Sequence, residues 1–493
     1  MDKKASAKQV LLYSLINYVG TAIGIVSTIL IYPKNKALLG TVRYVDNVSQ
    51  LLFPIMVLGA SHALIKFYPA LSEEKQKQLF NYSIFSILLI SVFVFAGVMI
   101  YTGVSNDAND YLIYYGYPIA VSLAFVELFR KQAQDLQKLA VPTLFEKIIP
   151  KIVLPLLFLL FLHQYITETD SLLYYAICYV AIFILTAIYL FRHFKPGFNY
   201  RFKTLFGQIT RKDYFRYSLY AFAGSLGSLL AFRLDGIIIF NLLSEEANGT
   251  FSIGVALASV LQIPAIGMFA LYAPIVSGHL KAENFAELQR KYVEVAKLLF
   301  CIGAILFCCI FLGIENLFRL MPTYENLKES IPIVSVLSFS VLINMATGFN
   351  AEIITYSKYY RFNLVAICIL VALNIALNLY FIYGLDLGIV GVAYASFISM
   401  TLFNISKLIF VYKKFRLFPF DKGFAIMALI FLVSTSVIWL LPDTGSHLIN
   451  LVYKTGLSLA INITALYKLN LVFQLNEWMD KGGGLIKRKI LSK

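Results

Sequence analysis

The chain is 493 residues long, 59% hydrophobic and 14% charged, with a mean hydropathy of +0.75. That composition excludes a soluble globular protein and describes a polytopic helical membrane protein. The formal net charge of +15 would suit nucleic acid, but the basic residues sit in short caps between apolar runs, the pattern of loops kept on the cytoplasmic side.

Apolar segments follow one another at approximately 9–32, 45–70, 79–103, 111–134, 142–163, 171–191, 214–243, 248–278, 289–318, 329–357, 361–383, 386–412, 423–441 and 445–469. About 20 apolar residues span a bilayer core, so each is a candidate crossing, and those beyond about 25 imply tilt or extension outside it. Met1 to Lys8 is a short basic start, and the run after it continues too far for a cleavable signal. No connection is long enough for a separate soluble domain. The longest, Arg192 to Lys212, is basic and carries Lys195, Arg201, Lys203 and Arg211. With the N-terminus in the cytoplasm, most lysines and arginines fall on that side, including Lys413, Lys414 and Arg416 and the tail residues Lys487, Arg488 and Lys489. The opposite side then carries Asp107, Asp110, Glu168, Asp170, Glu245, Glu246, Asp386 and Asp443, and both termini are cytoplasmic. Lys34, Lys36 and Arg43, in the first outer connection, run against this asymmetry. The five cysteines all lie inside apolar runs, where they read as small apolar fillers and not as metal or redox ligands.

The run Tyr217–Leu243 carries Arg233 and Asp235 well inside it. Charges at that depth cost at least a few kcal/mol each and face a bundle interior or a wet cavity. Its opening, YSLYAFAGSLG, echoes YSLINYVGTAIG at Tyr13, and Gly40-Thr41, Ser49 and Pro54 find counterparts in Gly249-Thr250, Ser259 and Pro264. A proline inside each second helix removes a backbone hydrogen bond and kinks the helix, as a gating element requires. Six segments separate the copies, so the repeat is parallel. The expected fold is an all-α polytopic membrane protein of about fourteen transmembrane helices: two six-helix lobes related by a pseudo-twofold axis along the membrane normal, plus two C-terminal helices. The divisions are an N-lobe, 1–191, a basic cytoplasmic linker, 192–212, a C-lobe, 213–416, and 417–493 with the last two helices and a basic tail. A duplicated bundle with charges at its centre is the organisation of a transporter.

Three stretches resemble a known family. NIALNLYFIYGLDLGIVGVAYASFIS, Asn374 to Ser399, is similar to the eleventh-to-twelfth-helix signature of the Wzx-type oligosaccharide flippases, polysaccharide exporters of the MOP superfamily. Gly391, Ala395 and Ser399 also place small residues on one stripe, which permits close helix approach. RLDGIIIFNLLSEEANGTFSIGVALA, Arg233 to Ala258, resembles the family's seventh-to-eighth-helix segment, and VLGASHALIKFYPAL, Val57 to Leu71, the end of its second helix. The first outer connection, LLGTVRYVD, keeps only part of the family's pattern there.

The resemblance implies a multi-pass protein of the bacterial plasma membrane that moves undecaprenyl-diphosphate-linked oligosaccharide between leaflets by alternating access, without covalent chemistry. Its partners would be that lipid-linked sugar, the surrounding lipids and polysaccharide polymerase machinery. No nucleic acid, metal or cofactor is expected; proton or sodium coupling stays open. Such a cargo needs cations in a wet cavity, and arginine suits phosphate because its fork donates two hydrogen bonds. Arg233 is the leading candidate, with a structural ion pair as the alternative. Asp235, two residues on, points to another face and either binds a coupling cation or braces a helix. His62 and Lys66 sit one turn apart, and Lys66 either snorkels to headgroups or meets the diphosphate. Glu127, Arg130 and Lys131 have the spacing of a local ion pair, with Arg130 also a cavity candidate. Arg43 is either a release site or an exposed loop charge. Asn344, Asn350, Asn374 and Asn378 read as interhelical hydrogen-bonders, Glu352 as a solvated helix-end carboxylate, and Gly20, Gly24, Gly224 and Ser228 as close-packing positions.

A small-molecule exporter of the same superfamily is the nearest alternative, although Val10 to Tyr32 lacks the acidic residue those proteins often carry. A membrane polymerase or ligase needs a sizeable catalytic outer loop, whereas the loops here are short and His163 and His447 stand apart. No nucleotide-binding loop is present.

Overall fold

The structure, a computed structural model, describes residues 19–480 apart from 106, 137, 200 and 360, with the side chains of 225–232, 270 and 274 also outside the description. Tyr13, Ser14 and Leu15 of the first repeat copy and the tail cations Lys487, Arg488 and Lys489 therefore lie outside the described residues. Among the described residues all regular structure is helical. That follows from the sequence: runs of Leu, Ile, Phe and Val in hydrocarbon must satisfy every backbone group within the segment.

The first apolar helix, α1, is described over Val19–Lys34. There follow α2 (Lys36–Val57), α3 (Ala60–Phe67), α4 (Glu73–Val104), α5 (Tyr111–Asp135), α6 (Ala140–Leu162), α7 (Glu168–His193), the one-turn α8 (Phe202–Leu205), α9 (Arg211–Leu242) and α10 (Glu245–Ala258). The remainder comprises α11 (Ile263–Lys281), α12 (Phe285–Arg319), the one-turn α13 (Tyr324–Leu327), α14 (Ile331–Ala346), α15 (Asn350–Tyr356), α16 (Arg361–Leu379), α17 (Gly388–Phe415), α18 (Lys422–Trp439) and α19 (His447–Lys468). Each expected segment carries helix. Among the described residues, ten helices are long and apolar enough to cross a membrane unaided, or eleven when the bent α2–α3 pair counts as one. Polar residues mark the starts: Asn35 accepts from the Leu38 amide, Thr167 and Asp170 form a reciprocal cap on α7, and Asp421 accepts from the Phe424 amide. Burial raises the Asp421 carboxyl, but Lys297 Nζ at 2.6 Å and the Phe424 amide outweigh it and hold Asp421 below the usual carboxylate range.

The two proline-bearing second segments differ: the first is bent, and the second runs on through a 3-10 turn. α2 and α3 meet at 47°. The break falls at Leu58 (φ 42°) and Gly59 (φ 75°), where the Leu58 amide bonds the Pro54 carbonyl. A methyl on Gly59 would lie 2.0 Å from the Ser218 carbonyl oxygen, so close approach as well as positive φ demands glycine there. In the second copy a 3-10 turn, Ser259–Gln262, precedes Pro264 at the start of α11.

Contacts divide the chain into two compact units, 1–252 and 253–493. In the first, α5 packs between α2 and α7, α6 lies on α7, and α9 lies on α2. In the second, α12 touches α14, α18 and α19, while α17 packs on α14 and α16. The repeat places its lobe boundary earlier, at 192–212; the packing of α9 on α2 is why contacts divide the chain later. α4 concentrates its polar side chains inward: its buried face mixes Gln78, Asn81, Ser83 and Ser91 with Leu79, Phe80, Ile87 and Val98, while its exposed face is apolar, with Phe85, Leu88, Leu89, Val92, Phe93 and Ile100.

Candidate functional site

The first unit gathers cations along α6. Glu127 on α5 pairs with Arg130 and lies 3.7 Å from Lys131. Arg130 Nη1 also sits 3.0 Å from Glu146 Oε2, an ion-pair contact without hydrogen-bond alignment, and Lys147 Nζ is 2.8 Å from Glu146 Oε1. One turn further along α6, Lys151 has Lys147 and Arg43 as its charged neighbours and pairs with no carboxylate among the described residues. The row therefore runs Arg130, Lys131, Lys147, Lys151, Arg43, held in part by Glu127, Glu146 and Asp46. Asp135, within electrostatic reach of Lys131, is a fourth carboxylate, so five cations face four carboxylates in a half-buried setting. His62, on α3, falls within electrostatic reach of Glu127, Arg130 and Lys131.

Arg43 corrects the expectation of an exposed loop charge. α2 begins at Lys36, so Arg43 is a helical residue with a side chain 28% exposed, and its Nη1 lies 3.3 Å from Asp46 Oδ2. Tyr175 donates to Asp46 Oδ1 at 3.3 Å, and the Tyr175 and Tyr179 hydroxyls are also 3.3 Å apart. Asp46 is thus fixed from two sides, and Arg43 can be recruited by another anion only in competition with it.

Arg233, on α9, donates to Asn47 Oδ1 at 3.3 Å. Gly236 makes room for that asparagine, since a methyl there would come 2.3 Å from Asn47 Nδ2. Asp235 is buried, 6% exposed. Lys66 stands apart from this group: it is exposed, with Nζ 3.9 Å above the Tyr217 ring, a cation–π contact. The repeat glycines meet reciprocally. Gly40 abuts the carbonyl of Glu245, and Gly249 abuts the carbonyl of Lys36, each four residues before the partner glycine; Asn248 adds a 2.8 Å bond to the Gly40 carbonyl. Among the glycines expected to pack closely, Gly20 lies against Ile148 and Lys151 of α6, whereas a methyl on Gly24 or Gly224 would meet nothing. The Ser228 side chain lies outside the described residues.

The second unit holds charges that the sequence did not mark as a site. Lys407, on α17, is 4% exposed, with Nζ 4.0 Å over the Phe403 ring. Glu352 is not solvated as expected: the helix breaks at Gly348 (φ 60°), and α15 turns inward so that Glu352 Oε2 is buried without a hydrogen-bond partner. Tyr292 Oη, Asn350 Nδ2 and Asn404 Oδ1 are buried and unpartnered as well. The expected interhelical asparagine bond is made by Asn374, which donates to Ser396 Oγ at 3.3 Å, and Asn378 donates to Asn374 at 3.1 Å. Between α12, α14, α17 and α18 lies a cavity of about 850 Å³, its walls mostly apolar and rich in aromatic rings (Phe307, Phe339, Phe397, Phe424, Phe431), with Asn404 among them. Among the described residues no three His, Cys, Asp or Glu side chains form a metal-ligating group.

Glu146, Lys147 and Lys151 were missed because they sit in a run with three prolines and many leucines, read only as a crossing. Their signal was the i, i+4 lysine pair behind a glutamate.

The profile of the family described as "Polysaccharide biosynthesis protein" matches residues 6–278, more than half of the chain. No curated protein matches the sequence. Among solved structures, the lipid II flippase MurJ in an inward closed conformation aligns with a TM-score of 0.70 at 15% identity, covering 93% of this chain and 99% of that one. An inward-facing multidrug resistance MATE transporter of the MOP superfamily aligns at 0.64 and 14% identity, over 82% and 98%. The multidrug transporter DinF-BH aligns at 0.58 and 18% identity, over 85% and 98%. At these identities the likeness establishes the fold alone, which this chain shares with those three multi-pass proteins over most of its length. Because that profile spans more than half of its length, the chain belongs to the polysaccharide biosynthesis protein family.

Proposed function

We propose that the protein is a flippase that carries undecaprenyl-diphosphate-linked oligosaccharide across the bacterial plasma membrane for surface polysaccharide assembly, be it O-antigen, capsule or exopolysaccharide. The observation that carries this reading is the cation row Arg130, Lys131, Lys147, Lys151 and Arg43 on the helices of the first unit. A diphosphate is a compact, strongly hydrated dianion, and several half-buried cations replace its water better than one. The paired carboxylates keep the row from repelling itself when empty and give way as the anion enters. Family membership and the likeness to a lipid II flippase support the same cargo class.

In this scheme transport is by alternating access, Arg233 and Asn47 join the cation row from within the first unit, and Lys66 meets the headgroup at entry. Asp235 is the place for a coupling proton or sodium ion or for a brace. Both termini are cytoplasmic, and the product passes to polymerase machinery. The test is a strain lacking the protein. Diphosphate-linked oligosaccharide should accumulate in the inner leaflet, with loss of surface glycan and rescue by the intact chain. Lipid-linked units that reach the outer leaflet and stay unpolymerised would replace this reading with an enzyme. Unchanged lipid and glycan would replace it with a small-molecule exporter, for which the aromatic cavity of the second unit is the natural site.

A further inference from the structure

The linker between α7 and α9 is not a loose tether. Asn81 Nδ2 bonds the carbonyls of Gly197 at 2.9 Å and Asn199 at 3.2 Å; Gln78 bonds Asn199 Oδ1 at 3.2 Å and accepts from Thr204 at 3.1 Å. Asn199 donates in turn to Glu74 at 3.2 Å. Phe194, Leu205 and Ile209 are buried on either side, so the segment is anchored along its length. Yet at its tip, after Gly197 (φ 66°) turns the chain, Phe198 is 94% exposed. A phenyl ring left in water loses apolar transfer energy with no contact in return.

Its depth accounts for it. The linker is pinned to Gln78 and Asn81 of α4, and the first lipid-facing residue of that helix is Phe85, four residues on, hence roughly 6 Å along the axis. Phe198 therefore sits at the level where hydrocarbon gives way to headgroups. Around it Arg192, Lys195, Arg201, Lys203, Arg211 and Lys212 are exposed and paired with no carboxylate among the described residues. The nearby acids are already engaged: Glu73 with Lys77, Glu74 with Asn199 and Asp213 with Arg216.

We propose that this linker docks on an anionic lipid surface, with Phe198 seated in the bilayer interface and Lys195, Arg201 and Lys203 holding headgroup phosphates. Apolar ring and cation cluster act together, because an aromatic anchor sets depth and unpaired cations select anionic over zwitterionic lipid. The surface is independent of the cargo.

Position 198 is open, so Phe198→Trp disturbs no packing, and the chain's two tryptophans, Trp439 and Trp478, can be replaced by phenylalanine to leave one reporter. The full chain would be reconstituted in bilayers with brominated acyl chains, either phosphatidylcholine alone or with about one third phosphatidylglycerol. The expected result is blue-shifted emission quenched by the bromines in the anionic bilayer and weaker quenching in phosphatidylcholine. Adding Lys195→Gln, Arg201→Gln and Lys203→Gln should lower the docked-to-free ratio roughly a hundredfold, from about fivefold per cation. Emission at the wavelength of water-exposed indole, quenched by iodide in both bilayers, overturns the proposal. So does equal bromine quenching in both, which leaves depth without headgroup selection. Emission that shifts only on adding a cytoplasmic protein fraction overturns it in favour of a protein partner.

Discussion

Lys151 has two cations as neighbours and no carboxylate partner among the described residues, so the fold gains nothing from its charge. Lys151→Ala should leave the melting temperature in detergent unchanged or slightly raised. Transport should fall about tenfold or more, since a hydrogen bond to a charged group contributes about 1.5–3 kcal/mol. Accumulated lipid-linked cargo in a complemented deletion strain measures that fall. Glu127 is the opposite case. It faces both Arg130 and Lys131 with a side chain 18% exposed, and Glu127→Gln leaves those cations opposed. A loss of about 1–3 kcal/mol is expected once partial exposure is allowed for, read as a lower melting temperature. Lys407 separates stability from function more sharply. A cation–π contact returns at most about 2 kcal/mol, whereas burying an ammonium costs several. The buried Glu352 carboxylate also faces it, so Lys407→Met alone leaves that carboxylate uncompensated and should lower the melting temperature, whereas Lys407→Met combined with Glu352→Gln should recover or exceed it. A fall in transport in the double variant despite that recovery would mark the pair as functional, and unchanged transport would mark it as structural.

At the scale of elements, the crossing of α2 and α10 is set by backbone contact. A methyl on Gly40 would lie 1.8 Å from the Glu245 carbonyl oxygen, and one on Gly249 2.0 Å from that of Lys36. Neither backbone can yield without the helices separating. Gly40→Ala and Gly249→Ala should each cost about 1–3 kcal/mol of the crossing's stability. A cysteine at Thr41, introduced after removal of the native cysteines, should then react faster with a water-soluble thiol reagent. Unchanged reactivity in both variants would show that the contact does not hold the two helices together. The α2–α3 break belongs to the same scale: Pro54 weakens the helix, but the bend falls where Leu58 and Gly59 take positive φ against Ser218.

For the whole molecule, the asymmetry of basic residues predicts that both termini lie in the cytoplasm. Fluorescent-protein fusions at either end should fluoresce, and alkaline phosphatase fusions there should be inactive; the reverse result at either end would invert the topology. The cations that make this prediction also recur in the linker at the end of α7, so topology and lipid contact draw on one set of charges.

Much of this organisation could be read from the amino acids alone. Helix, crossing and repeat are properties of short runs: hydrocarbon leaves an apolar segment no other way to satisfy its backbone, and a duplicated phrase such as Gly40-Thr41 and Gly249-Thr250 survives as text. The local ion pair of Glu127, Arg130 and Lys131 was legible for the same reason, being three residues on one helix face. Which charges share a site was not. Arg130 meets Glu146 and Lys151 meets Arg43 only because α5, α6 and α2 pack together, and Glu352 turns inward only because the chain reverses hand at Gly348. Spacing along a helix fixes direction relative to that helix, but what a side chain faces depends on the neighbour that packing brings, and tertiary structure alone decides that.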